Sequence, residues 1–155
     1  MLMTMPCPDA PKSQAGISLL EVLIAVLVLS IGLLGIGAMQ TTNVKNSQSA
    51  LLRSAAVVLA AGMAERIRAH PASASVGHFR LDKTCVVPKT TVSVPEMELA
   101  SWIRDIHQRL GNAATSCGQI DHDIASRTYS VKVIWDDSRA LGGSKVMTVS
   151  HMVRY

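Results

Sequence analysis

Residues 17–39, ISLLEVLIAVLVLSIGLLGIGAM, constrain this chain more than any other stretch. They hold a single charge, Glu21. At about 1.5 Å per residue a helix of this length reaches roughly 34 Å, enough to cross the hydrocarbon of a bilayer. An acid at mid-membrane costs at least about 2.5 kcal/mol, and less near an end, so Glu21 needs a reason to be there. The same run inflates the 48% hydrophobic content, which is therefore no sign of a large core. The 116 residues from Gln40 to Tyr155 suffice for one modest domain.

Charge narrows the function classes. The net charge is +4, and the basic residues are scattered rather than blocked. Few aromatics are present to stack on bases, which argues against nucleic acid as a partner. Cys7 precedes the apolar run, whereas Cys85 and Cys117 follow it. If the run is an anchor, Cys7 faces the opposite side from that pair. The pair is then a disulfide candidate in an oxidising compartment, with two free thiols as the alternative.

Residues 1–15 carry three prolines and no periodicity, so they read as unstructured. An ordinary cleaved secretory signal has a basic start, a 7–15-residue apolar core and small residues at the cut. The run here is too long for that pattern. A late cut near Ala38 would also leave Glu21 inside the apolar core. A plain uncleaved anchor leaves Glu21 without a purpose. A third reading uses Gly16, the apolar residue after it, and a carboxylate five positions beyond the glycine.

That arrangement resembles the class III signal of type IV pilins and pseudopilins. The resemblance implies that prepilin peptidase cuts between Gly16 and Ile17 and that the new Ile17 amine is methylated. It gives Glu21 the role of pairing with a mature N-terminus during filament assembly. Elementary electrostatics agrees: the cut creates a cation one helical turn from Glu21, and a neighbouring subunit can offer the same cation. A buried acid is tolerable when paired and costly when not. An acid in a first helical turn also suits the helix dipole. The sequence departs from the family pattern at two places, with Ala15 where a basic residue is common and Ile17 where phenylalanine is common. Lysine and arginine counts do not set the orientation, because Lys12 precedes the run while Lys45 and Arg53 follow it.

Beyond the run, residues 40–50 are polar. Leu51, Ala55, Val58, Leu59, Gly62, Met63 and Ile67 then recur at helical spacing, predicting one buried helix face. His70-Pro71 should stop the helix, because the residue before proline avoids helical geometry. The stretch LAAGMAERIRAHP (residues 59–71) resembles the A-x-x-M-A-E-R-I/M-R-A-N pattern of the PilV type of minor pilin, also called type IV pilus modification protein. Residues 71–94 read as loop with one short extended piece at 90–94. Leu99, Trp102, Ile103, Ile106 and Leu110 predict a short helix closed by Gly111-Asn112. Residues 118–120 open a sheet. Alternation over 128–136 and 145–155, joined by the turn-rich DSRALGGS, predicts a C-terminal β-hairpin. Its apolar face, with Tyr129, Val131, Val133 and Trp135, should pack on the 51–67 helix face.

Sites for chemistry are scarce. Asp121-His122-Asp123 imitates a metal site, but three adjacent residues cannot all face one ion without an unusual backbone; a solvated turn is the plainer reading. The histidines show no ligand spacing. No Gly-x-Ser-x-Gly and no phosphate-binding glycine loop is present. The sequence therefore leads to no catalytic residue, no metal, no cofactor and no enzyme.

The resulting expectation is an α+β fold: a long N-terminal helix, its first half transmembrane, packed on a small antiparallel sheet. Residues 1–16 are the leader, 17–70 the long helix with 17–39 its transmembrane and assembly part, and 71–155 a small periplasmic domain. The resemblance implies a minor pilin that waits in the inner membrane as a single-pass protein and then joins a pilus on the cell surface. Its partners are prepilin peptidase, other minor pilins and the major pilin through their N-terminal helices. A minor pseudopilin of type II secretion has the same leader and helix. A membrane-anchored periplasmic binding or enzymatic module is the alternative from another class.

Overall fold

The computed structural model describes residues 16–89, 92–111 and 113–155. The leader positions 1–15, Cys7 among them, Thr90 and Thr91 of the extended piece expected at 90–94, and Asn112 lie outside the described residues, and Val94 of that piece opens a helix instead. The chain divides into two compact units, one ending at Met39 and the other spanning Gln40–Tyr155.

Helix α1 runs Leu19–Ala69, with Glu21 in its first turn and Arg66 and Arg68 in its last. His70 stops it as Pro71 requires, and its ring nitrogen Nδ1 sits 3.0 Å from the carbonyl of Arg66, closing the helix end. A one-turn helix α2, Pro71–Ser75, and a short strand β1, Leu81–Thr84, follow. Both occupy the segment read as loop. Their composition hides them: α2 starts on proline, and β1 holds Asp82 and Lys83 side by side. Helix α3, Val94–Leu110, ends at Gly111, whose φ of 68° is one that side chains resist.

Strands β2 (Cys117–Asp123), β3 (Thr128–Trp135) and β4 (Met147–Arg154) complete one antiparallel sheet in the order β1-β2-β3-β4. The hairpin expected at the C-terminus is β3–β4, in unbroken register from Thr128 opposite Arg154 to Trp135 opposite Met147. Thr84 pairs with Gly118, so Cys85, just after β1, and Cys117, the first residue of β2, face one another. They form a disulfide with their Cα atoms 4.1 Å apart. The bridge therefore locks the one register that is irregular, between Leu81 and Thr84.

One core joins the two helices and the sheet. From α1 come Ala56, Leu59, Ala60, Met63, Ala64 and Ile67; from α3 Leu99, Trp102, Ile103, Ile106 and Leu110; from the sheet Ile120, Tyr129, Val131, Val133, Trp135 and Val153. The buried stripe of α1 is rotated from the expected one. Leu51 and Val58 are 70% and 60% exposed and Gly62 is exposed, while Leu52, Ala56, Ala60 and Ala64 take their places. Alanine is the reason: its small side chain lets the helix axis approach its neighbours, which larger residues on that stripe would prevent. The Trp102 indole N–H then reaches the Leu59 carbonyl at 3.0 Å. Gly118 repeats the theme on the sheet side. A Cβ there would lie 2.5 Å from Trp102 and 2.6 Å from Ile103, so only glycine lets α3 rest on β2.

The Asp121-His122-Asp123 triplet is strand, not turn. Strand alternation sends its members to opposite faces. His122 turns inward, stacked on Tyr129 at 4.3 Å between centroids and bonded to the Tyr155 hydroxyl at 2.8 Å. Asp121 faces outward, and the hydrogen bond from Lys132 holds its carboxyl below the usual range. Asp123, bonded by Ser126 and by the amide of Ala125, is also lowered and closes the β2–β3 turn. Among the described residues no group of three or more His, Cys, Asp or Glu side chains could hold a metal ion.

Tyr129 is fully buried, donates its hydroxyl to the Ala74 carbonyl at 2.7 Å, and has its pKa pushed up to about 12 by burial. A phenol whose folded pKa lies above its unfolded one stays protonated where the unfolded chain ionises. Its contribution is whole below the unfolded value of about 10 and is lost as pH rises toward the folded value. Stability measured by urea titration should therefore fall between about pH 10 and 12. Tyr129→Phe should be less stable at neutral pH and show a shallower alkaline fall.

Candidate functional site

The chemistry-bearing stretch is the start of α1. Gly16, Ile17 and Ser18 precede the helix and are exposed, Ile17 at 75%. The Gly16–Ile17 peptide bond is thus exposed and outside regular structure. Ser18 begins the helix: its carbonyl accepts the amides of Glu21 and Val22 at 3.0 and 3.2 Å, and its hydroxyl accepts the amide of Leu20 at 3.3 Å. The Leu20 and Glu21 amides are among the four that a helix start leaves without i−4 partners, and Val22 makes the first regular helical bond.

This reveals a signal that reading by charge overlooks. Ser18-Leu19-Leu20-Glu21 has the S-x-x-E form of a capping box, in which an N-terminal hydroxyl and a carboxylate three residues on serve the first turn. The hydroxyl half of that box is made, by Ser18 to the Leu20 amide, while Glu21 acts through its position. It stands at the positive end of the helix dipole, where a negative side chain is favoured. With Ser18, Leu20, Ile24 and Ala25 it bounds an open, mostly apolar groove. The apolar side chains through Met39 are exposed along the whole run. Helix α1 is the one described helix long and apolar enough to cross a membrane; its most apolar stretch has a mean hydropathy of 2.7 with no part buried in protein. Gly32, Gly35 and Gly37 have open space within 4 Å of where a Cβ would stand. Ser30 bonds back to the Val26 carbonyl at 2.7 Å and so needs no other partner.

The remaining sites lie in the second unit and are structural. Cys85 and Cys117 form the bridge described above. Trp102 and Trp135 are 1% exposed and belong to the core. Arg66, in the last turn of α1, bonds Glu98 at 3.0 Å and Asp105 at 3.3 Å, both on α3. All three are about one-third exposed, so each pair contributes up to about 1 kcal/mol. Nothing in the sequence marks this pairing, because it spans more than thirty residues and depends on where α3 docks.

Two comparisons with known families meet on this helix. Residues 11–37 match the prokaryotic N-terminal methylation motif, and residues 38–95 match the type IV pilin Tt1218 family. No curated protein and no solved structure matches the chain significantly. The adjoining matches make the chain a type IV pilin-like protein. Its function is accordingly of the type IV pilin kind, and the motif implies processing by prepilin peptidase and assembly with other pilins. An apolar N-terminal helix with this motif fits a membrane-anchored pilin.

Ser18→Ala should cost the first turn about 1 kcal/mol. In detergent-solubilised full chain the Leu20 amide should exchange several-fold faster, while amides beyond Ser30 keep their rates.

Proposed function

We propose that this protein is a minor pilin of the type IV pilus, of the PilV type, that takes part in priming assembly or in a tip complex. The observation that carries the proposal is the position of Glu21, the single charge of the apolar run, one turn beyond an exposed Gly16–Ile17 bond. Cleavage there converts a neutral peptide nitrogen into a cation beside the acid. The pair satisfies in lipid what Glu21 alone could not. The leader is then residues 1–16, and the chain sits in the inner membrane through residues 17–39 with its second unit in the periplasm. The disulfide supports that placement, since such bridges persist in oxidising compartments. The AERIRA stretch at residues 64–69, on the last turns of α1, supports the PilV type. Partners are other minor pilins and the major pilin, met through their N-terminal helices. The protein performs no catalysis; it is a substrate of the peptidase and a building block.

N-terminal sequencing of membrane-extracted protein tests this directly. The expected first residue is methylated Ile17. An intact leader would favour an anchored periplasmic module, and a cut near Ala38 an ordinary secretory signal; either overturns the proposal. Glu21→Ala should still be cut, while its incorporation into filaments, read by immunoblot of sheared pili, should be lost.

A further inference from the structure

The β3–β4 connection does more than join two strands. Asp137 is only 4% exposed, and its carboxylate accepts a hydrogen bond from the Ser49 hydroxyl on α1. Four residues on, the amide of Leu141 donates to Asn46 Oδ1, one helical turn before Ser49. The loop is built to hold its shape. The Asp137 amide donates to the Ser144 carbonyl, Ala140 donates to Asp137, and Gly143 donates to Ala140. A Cβ at Gly143 would lie 2.0 Å from the Asp137 carbonyl oxygen, so the tight closure requires glycine. The result is a preformed jaw closed on one turn of helix.

The helix it grips is poor at being a helix. Residues 40–50 read QTTNVKNSQSA, with two threonines, a valine, two asparagines and two serines. Such residues lose side-chain freedom in a helix or compete for its backbone. None of these residues is fully buried, and only Thr42 and Ser49 are even half-buried. The core begins at Leu52 and Ala56. Segments with exposed backbone and little apolar burial open locally at a small fraction of the global cost.

We propose that Asp137 and the backbone of Leu141 form a latch that keeps residues 40–50 of α1 helical, and that opening this latch lets the segment leave the helix while the domain core stays folded. The protein then has two states, latched and unlatched, that differ in this neck and share one core. Asp137 is the better test position, because changing it leaves the neck's own helix propensity intact.

Hydrogen exchange followed by mass spectrometry on the full chain in detergent tests the latch. In Asp137→Ala, amides of residues 45–50 should exchange about tenfold faster, with residues 56–67 within twofold of the parent. Ser49→Ala should also accelerate the neck, although alanine is the better helix former. Unchanged neck exchange in both variants overturns the proposal. So does equal acceleration of residues 56–67 in both, which would make the contact part of global stability. If Asp137→Ala alone fails to fold, Ser49→Ala decides by the same two readings.

Discussion

The close approach of α1 to its neighbours governs the second unit. Ala56, Ala60 and Ala64 are completely buried, and Met63 and Ile67 fill the space between their rows. That proximity brings the Leu59 carbonyl within reach of Trp102 and sets where α3 lies. The position of α3 in turn demands glycine at 118 and places Glu98 and Asp105 beside Arg66. A larger side chain at any of the three alanines would push apart surfaces that already touch, at a cost of about 1–3 kcal/mol. Interiors packed to crystal-like density transmit such displacements rather than absorb them.

The same helix meets a different requirement before Met39. There every described residue is exposed, the large apolar side chains among them. Such a surface belongs in lipid or against other apolar helices, and Glu21 is the one group in it that neither environment accepts unpaired. The helix dipole eases its position locally. On the proposed function, the amine freed by cleavage completes the compensation, which ties the methylation motif to the acid.

Several sequence readings and the structure agree because they rest on periodicity. α3 carries all five expected apolar residues inward, and β3 and β4 alternate as a hairpin should. The readings that differ rest on neighbours distant in the chain. The stripe of α1 is rotated because alanine counts for little in a hydrophobic pattern and for much in close packing. β1 went unseen because a four-residue strand with an Asp-Lys pair draws its identity from the strand beside it. His122 and its flanking acids looked like a turn until the register of β2 with β3 gave each a face.

The sequence alone determined the membrane-length helix, its lone acid after Gly16, the helix stop at Pro71 and the C-terminal hairpin. These follow from local terms: hydropathy, dihedral restriction and side-chain period. Tertiary structure alone decided which face of α1 is buried, that Cys85 and Cys117 meet across β1 and β2, that Arg66 bridges to α3, and that Asp137 closes on Ser49. Each of these joins groups 32 to 88 residues apart. Such contacts exist only after the chain's loop-closure entropy has been met by burial of the common core, and no local pattern encodes that balance.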